Sequence, residues 1–140
     1  MLIDINVVSE PWKPAPDPRV IAWIDAQAVE TLHLSAVTVA ELRFGIAAMP
    51  AGKRRTILHD RLEQDALPLF AGRILPFDLD ASRAYAILMV QARAASKAIG
   101  KADGYIAATA AVHGLTVATR DTSPFAAAGL NTVNPWESAL

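Results

Sequence analysis

Apolar runs of strand length alternate along the chain with apolar residues at helical spacing. LIDINVV (2–8) reads as a strand interrupted only by Asp4 and Asn6, and the proline-rich EPWKPAPDP after it reads as a loop. Asp17 before Pro18 has the form of an N-cap with proline at N1, opening a helix over PRVIAWIDAQAV. LHLSAV predicts a second strand and TVAELRFGIAAM a second helix. KRRTILHDRLEQDAL, with Ile57, Leu58, Leu62 and Leu67 at helical spacing, predicts a third helix. ILPF then gives a third strand, and Asp80 caps a long helix, ASRAYAILMVQARAASKAI, closed by Gly100. ADGYIAATAAVH is a further helix closed by Gly114, LTVAT a fourth strand, SPFAAAG a short helical turn and NTVNP an edge strand. Strand and helix in alternation imply right-handed crossovers. The expected fold is α/β in three layers, a mostly parallel sheet of four to five strands with helices on both faces, as one domain over 1–140.

In such sheets ligands bind at the carboxyl ends of the strands. Four acids fall at that edge: Asp4 in the first strand, Glu41 in the first turn of the helix after LHLSAV, Asp103 in the first turn of the helix before LTVAT, and Asp121 just after that strand. Three have a structural explanation when taken singly. Thr38-x-x-Glu41 is a capping box, Asp103 complements a helix dipole, and Asp121 suits a turn before Ser123-Pro124. Asp4 does not, because a strand interior offers no cap, and an ionised, unpaired carboxylate there costs several kcal/mol. Four like charges converging on one cleft call for a cation. Oxygen donors with no cysteine and no spaced histidines point to Mg²⁺ or Mn²⁺ rather than zinc, with His33, His59 and His113 left as surface or satisfied residues. Such an ion suits phosphodiester hydrolysis.

Composition narrows the class. At 140 residues, 53% hydrophobic and 19% charged, the chain suits a sheet covered on both faces. Zero cysteines exclude a disulfide framework and a thiol nucleophile and fit the cytoplasm, while the start lacks a basic leader and no apolar run is long enough to cross a membrane. The net charge of −1 argues against a polyanionic partner until charge location is considered. With the four cleft acids set aside, 10 acidic residues face 13 basic ones, so the remaining surface is about +3. Arg43, the run Lys53-Arg54-Arg55, and Arg93 and Lys97, with Lys101 extending their spacing, are the candidates to follow a phosphate backbone. There is no G-x-G-x-x-G, no P-loop and no G-x-S-x-G elbow.

These stretches resemble the PIN-domain ribonucleases, in particular small toxins of VapC type and their FitB-like branch. LIDINVVSE is similar to the family's first strand with D-x-N-[VI], SAVTVAELRFGI to its second acidic motif, KADGYIAATAAVHGLTVATRD to its A-D-x-x-I-A helix and T-R-[DN] strand end, and the closing NPWE is shared with the branch. Ile5 departs from the threonine many members carry there. The resemblance implies a metal-dependent endoribonuclease toxin of a type II toxin–antitoxin pair, neutralised by a cognate antitoxin, and a homodimer or a hetero-oligomer with that antitoxin. It also implies metal ligation by Asp4, Glu41, Asp103 and Asp121, with Asp4 and Asp103 direct, and a supporting role for Asn6 and Thr119 in orienting carboxylates or a water. The rivals are a catalytically silent interaction module and a receiver-like phosphoacceptor domain. The second lacks an acid beside Asp4 and a lysine after LTVATRD.

Overall fold

The strands are shorter than the apolar runs that encode them. The structure is a computed structural model that describes residues 1–137. In chain order it runs β1 (Leu2–Ile3), α1 (Ile5–Val8), α2 (Pro18–Asp25), β2 (Leu34–Ser35), α3 (Ala36–Ala47), α4 (Lys53–Asp60), α5 (Leu67–Leu69), β3 (Ile74–Leu75), α6 (Leu79–Ala94), α7 (Lys101–His113), β4 (Val117–Ala118), α8 (Ser123–Ala127) and β5 (Thr132–Val133). A π-helical stretch, Arg61–Ala66, joins α4 to α5. All strand pairs are parallel: β1 with β4, β4 with β5, and β2 with β3. A parallel bridge between Leu2 and His33 joins the two groups, with the Ile3 N–H donating to the His33 carbonyl at 2.9 Å and the His33 N–H to the Met1 carbonyl at 2.8 Å. The continuous order is therefore β3-β2-β1-β4-β5.

Alternation along each strand covers both faces of this sheet. Ile3 and Ala118 face one cluster, with Val7, Val20, Trp23, Phe70 and Trp136. Leu2 and Val117 face the other, with Leu88, Ile106 and Phe125 from α6, α7 and α8. Fully buried Leu2, Leu34 and Val117 each contribute about 1.5–3 kcal/mol by leaving water. Gly104 permits a close approach of α7 to α6, since a Cβ there would lie 2.9 Å from the Tyr85 ring and 3.0 Å from the Met89 sulfur. Gly114 closes α7 in the left-handed conformation at φ 62°.

Several expectations are corrected. LIDINVV is not one strand. It pairs only at Leu2–Ile3, because the Asp4 carboxylate accepts the Ile5 N–H and starts a short helix. The long helix after ILPF is capped by Asp78, not Asp80, and stops at Ala94 rather than near Gly100, followed by Ser96 at φ 56°. Arg93, Lys97 and Lys101 therefore do not form one helical stripe: Arg93 is on α6, Lys97 lies beyond its end and Lys101 opens α7. His33 also departs from expectation, being partly buried with Nδ1 lacking a partner. Among the described residues no helix is long and apolar enough to cross a membrane.

Candidate active site

Asp4 leaves β1 at its carboxyl end and is 6% exposed. Its Oδ1 accepts the Ile5 N–H at 2.8 Å and its Oδ2 accepts the Thr119 hydroxyl at 2.9 Å, across the sheet from the end of β4. Both donors are neutral. Burial pushes the Asp4 carboxyl above its ordinary value, the two hydrogen bonds pull it back in part, and the like charge of Asp121 pushes it further up.

Glu41 lies in the second turn of α3, not the first. The helix begins early because Ser35 caps it, its Oγ accepting the Val37 N–H at 3.1 Å. The Thr38-x-x-Glu41 capping box is therefore not formed, and the buried Thr38 hydroxyl has no partner. Glu41 is half-buried, and its carboxyl is raised first by burial and then by the charges of Asp4 and Asp103. Asp103 sits in the first turn of α7, held there by the tight α6–α7 contact at Gly104. Burial raises its carboxyl, with Asp4 and Asp121 adding to the effect. Asp121 is exposed, and its Oδ1 accepts from the Ser123 N–H and hydroxyl at 3.2 Å each, the turn expected of it.

Asp4 and Asp103 thus lie within electrostatic reach of each other and of both Glu41 and Asp121, and no Lys, Arg or His among the described residues makes an ion pair with any of the four. They do not form a ready-made cage: among the described residues no three acidic or histidine side chains stand close enough to hold an ion by themselves. A donor set made only of oxygens and short of positive charge fits a hard divalent cation. Mg²⁺ keeps several waters and needs only one or two direct carboxylates, so a sparse set suffices.

The supporting residues divide. Thr119 touches Asp4 directly, and its hydroxyl also lies 3.4 Å from the Asp121 carbonyl. Asn6 instead accepts the Arg120 N–H at 3.3 Å and forms no hydrogen bond to a site carboxylate among the described residues. Of the basic candidates, Arg43 is held in a two-bond ion pair by Glu63 at 2.7 and 2.9 Å, and Arg55 reaches the Met49 carbonyl at 3.3 Å. Arg54 shares a groove of about 290 Å³ with Glu41, Trp12 and Lys13. Lys53 starts α4 at the surface, while Arg93 and Lys97 line a separate hollow where α6 passes into α7. Arg120, between Thr119 and Asp121, received no role from the sequence. Its signal was a cation set between two candidate site residues at a strand end.

A PIN-domain family model matches residues 1–130. Across 139 residues, 99% of each chain, the protein is 70% identical to the VapC ribonuclease Y4jK of Sinorhizobium fredii. It is 55% identical to the toxin FitB of Neisseria gonorrhoeae over 136 residues, 97% of this chain and 98% of FitB. The crystal structure of FitAcB from Neisseria gonorrhoeae superposes with a TM-score of 0.95 at 55% identity, covering 98% of this chain and 99% of that one. The order of the sheet, the acids gathered at its carboxyl edge and these similarities agree: the chain belongs to the PIN-domain family.

Proposed function

We propose that this protein is the toxin of a toxin–antitoxin pair, an endoribonuclease that works as one domain over 1–140 in the cytoplasm with Mg²⁺ or Mn²⁺. The observation that carries the reading is the cluster Asp4, Glu41, Asp103 and Asp121, three of whose carboxyls are pushed up by burial and by one another. Its relatives bear the names of a VapC ribonuclease and a toxin. Asp4 and Asp103 would hold the ion directly, and Glu41 and Asp121 through water. The chemistry a bound ion supplies is Lewis acidity, which makes water a better nucleophile and offsets charge building on the phosphate.

The chain's own contribution is position. The Ile5 N–H and the Thr119 hydroxyl each occupy one Asp4 oxygen, so the carboxylate cannot rotate freely. The Ser123 hydroxyl, which touches the cluster, is spent on a hydrogen bond to Asp121 Oδ1 at 3.2 Å, and the nucleophile in this reading is water. The exposed basic residues Lys53 and Arg54 suit contact with the RNA backbone, with Arg43, Arg55, Arg93 and Lys97 as further cations. Exposed Leu79, Ile87 and Val90 on α6, at 81%, 54% and 68%, support an interface with a second copy or with the antitoxin.

The test is cleavage of RNA by the purified protein with Mg²⁺, with Mn²⁺ and with EDTA, alongside Asp4→Asn and Asp103→Asn. Cleavage that needs the metal and both acids is expected. Undiminished cleavage in EDTA would overturn the mechanism.

A further inference from the structure

Arg120 is an exposed residue held at several points. Its N–H donates to Asn6 Oδ1 at 3.3 Å, its carbonyl accepts from Asn134 Nδ2 at 3.1 Å, and its guanidinium lies 5.1 Å from the centre of the Trp136 ring. Asn134 secures the platform as well, since its Oδ1 accepts the Trp136 N–H at 2.9 Å. Trp136 is itself 5% exposed and belongs to the core around Ile3 and Val7. The Arg120 backbone is thus fixed beside Thr119 and Asp121 and its guanidinium is held over a core indole, yet among the described residues it makes no ion pair. Outside the site its charge also bears on Asp17, which is already engaged by Arg19 at 2.8 Å.

A guanidinium held over an indole by cation–π attraction keeps N–H groups available, and that planar fork matches a phosphate. Immobilising it beforehand removes an entropic cost that a flexible lysine would meet on binding. We propose that Arg120 is a preorganised phosphate clamp, which grips the RNA backbone beside the acidic cluster and is positioned by Asn6, Asn134 and Trp136. This rests on the ribonuclease reading. It also explains why Asn6, so near Asp4, serves Arg120 instead of a carboxylate. The alternative is purely structural, with the arginine stem shielding the indole from water.

The experiment measures binding of a fluorescent, mixed-sequence single-stranded RNA to the full chain in an Asp103→Asn background, across a salt series. R120M keeps an apolar stem over Trp136 without charge, R120Q is a second neutral variant, and R120K keeps only the charge. One lost phosphate contact reduces the slope of log affinity against log salt by about 0.7. Both neutral variants are expected to show that loss, with affinity down about tenfold at low salt and melting temperatures near the parent's, whereas R120K retains the slope. An unchanged slope in R120M and R120Q, with or without a lower melting temperature, overturns the clamp and leaves the ribonuclease reading standing. Failure of the parent to bind RNA at all overturns both.

Discussion

Asp4 and Glu10 are close in sequence and are both buried carboxylates, 6% and 2% exposed, yet their surroundings differ in sign. Glu10 lies 2.8 Å from the Lys13 ammonium and accepts the Asp17 N–H at 2.9 Å. These contacts, Lys13 foremost, hold its carboxyl below the ordinary value. Asp4 has only neutral donors, and the charges near it are carboxylates like itself, so its carboxyl is held above the ordinary value, chiefly by burial. The comparison separates a carboxylate paired within the fold from one left unpaired, as the proposed ligand role of Asp4 requires. Glu10 brings its counter-ion from the same turn of chain and ties the start of α2 back to the 3-10 turn Glu10–Trp12. Asp4 shares its edge of the sheet with Glu41, Asp103 and Asp121, and no cation among the described residues pairs with it. A buried charge left in that condition is costly, and a divalent ion from solution removes the cost.

The largest expected effect breaks the ligand side of this pair. Asp103→Asn or Asp4→Asn should lower Mg²⁺-dependent RNA cleavage by at least about 100-fold while raising the melting temperature of the metal-free protein, because repulsion is relieved. Calorimetry in EDTA and a cleavage assay on the same preparations check both halves. A drop in melting temperature would mean that these acids are structural after all.

Next in size is the orientation of Asp4. Thr119→Val removes the hydroxyl at nearly constant volume and should raise the Mg²⁺ concentration for half-maximal cleavage by about 10- to 100-fold, with Thr119→Ser restoring it. Equal metal dependence in all three proteins would show that the hydroxyl does not set the carboxylate's position.

On the structural side, Glu10→Gln should cost about 1–3 kcal/mol, toward the lower end because Lys13 is half exposed. A denaturant titration measures this, and cleavage per folded molecule should stay at the parent level. Loss of activity without loss of stability would dissolve the distinction between the two carboxylates.

The smallest effect is in pH. Asp4, Glu41 and Asp103 have raised carboxyls, so the metal-free native state binds more protons than the unfolded chain. Their contribution to stability is full below the ordinary carboxylate value and is lost as pH rises through the raised values. Glu10 and Glu63 are lowered, and their contribution is lost as pH falls through their lowered values. Melting temperature in EDTA should therefore rise on acidification from neutral and fall only at lower pH. Mg²⁺ should flatten the first limb, and a monotonic fall from pH 7 in EDTA would contradict it.

Much of this was readable along the chain because its causes are local. Periodicity placed the helices and strands, Asp17-Pro18 marked the start of α2, and Gly114 marked the end of α7. Alternating strand and helix implied the parallel sheet, whose carboxyl edge pointed to Asp4, Glu41, Asp103 and Asp121. Where two local signals competed, the reading failed. Ser35 outcompeted Thr38 for the cap of α3, Asp78 outcompeted Asp80 for α6, and the Asp4 side chain ended β1 by taking the Ile5 N–H.

What no stretch of neighbours could reveal is which distant group each polar atom meets. Thr119 reaches Asp4 across the sheet, Asn6 and Trp136 fix Arg120, and Lys13 rather than a cation at the cleft stands by the buried acid that is structural. Residue type tells that a carboxylate is present. Whether it is stabilised, left costly or raised in pKa depends on the dielectric and the charges that enclose it, and segments far apart in the chain supply those only once the sheet has assembled.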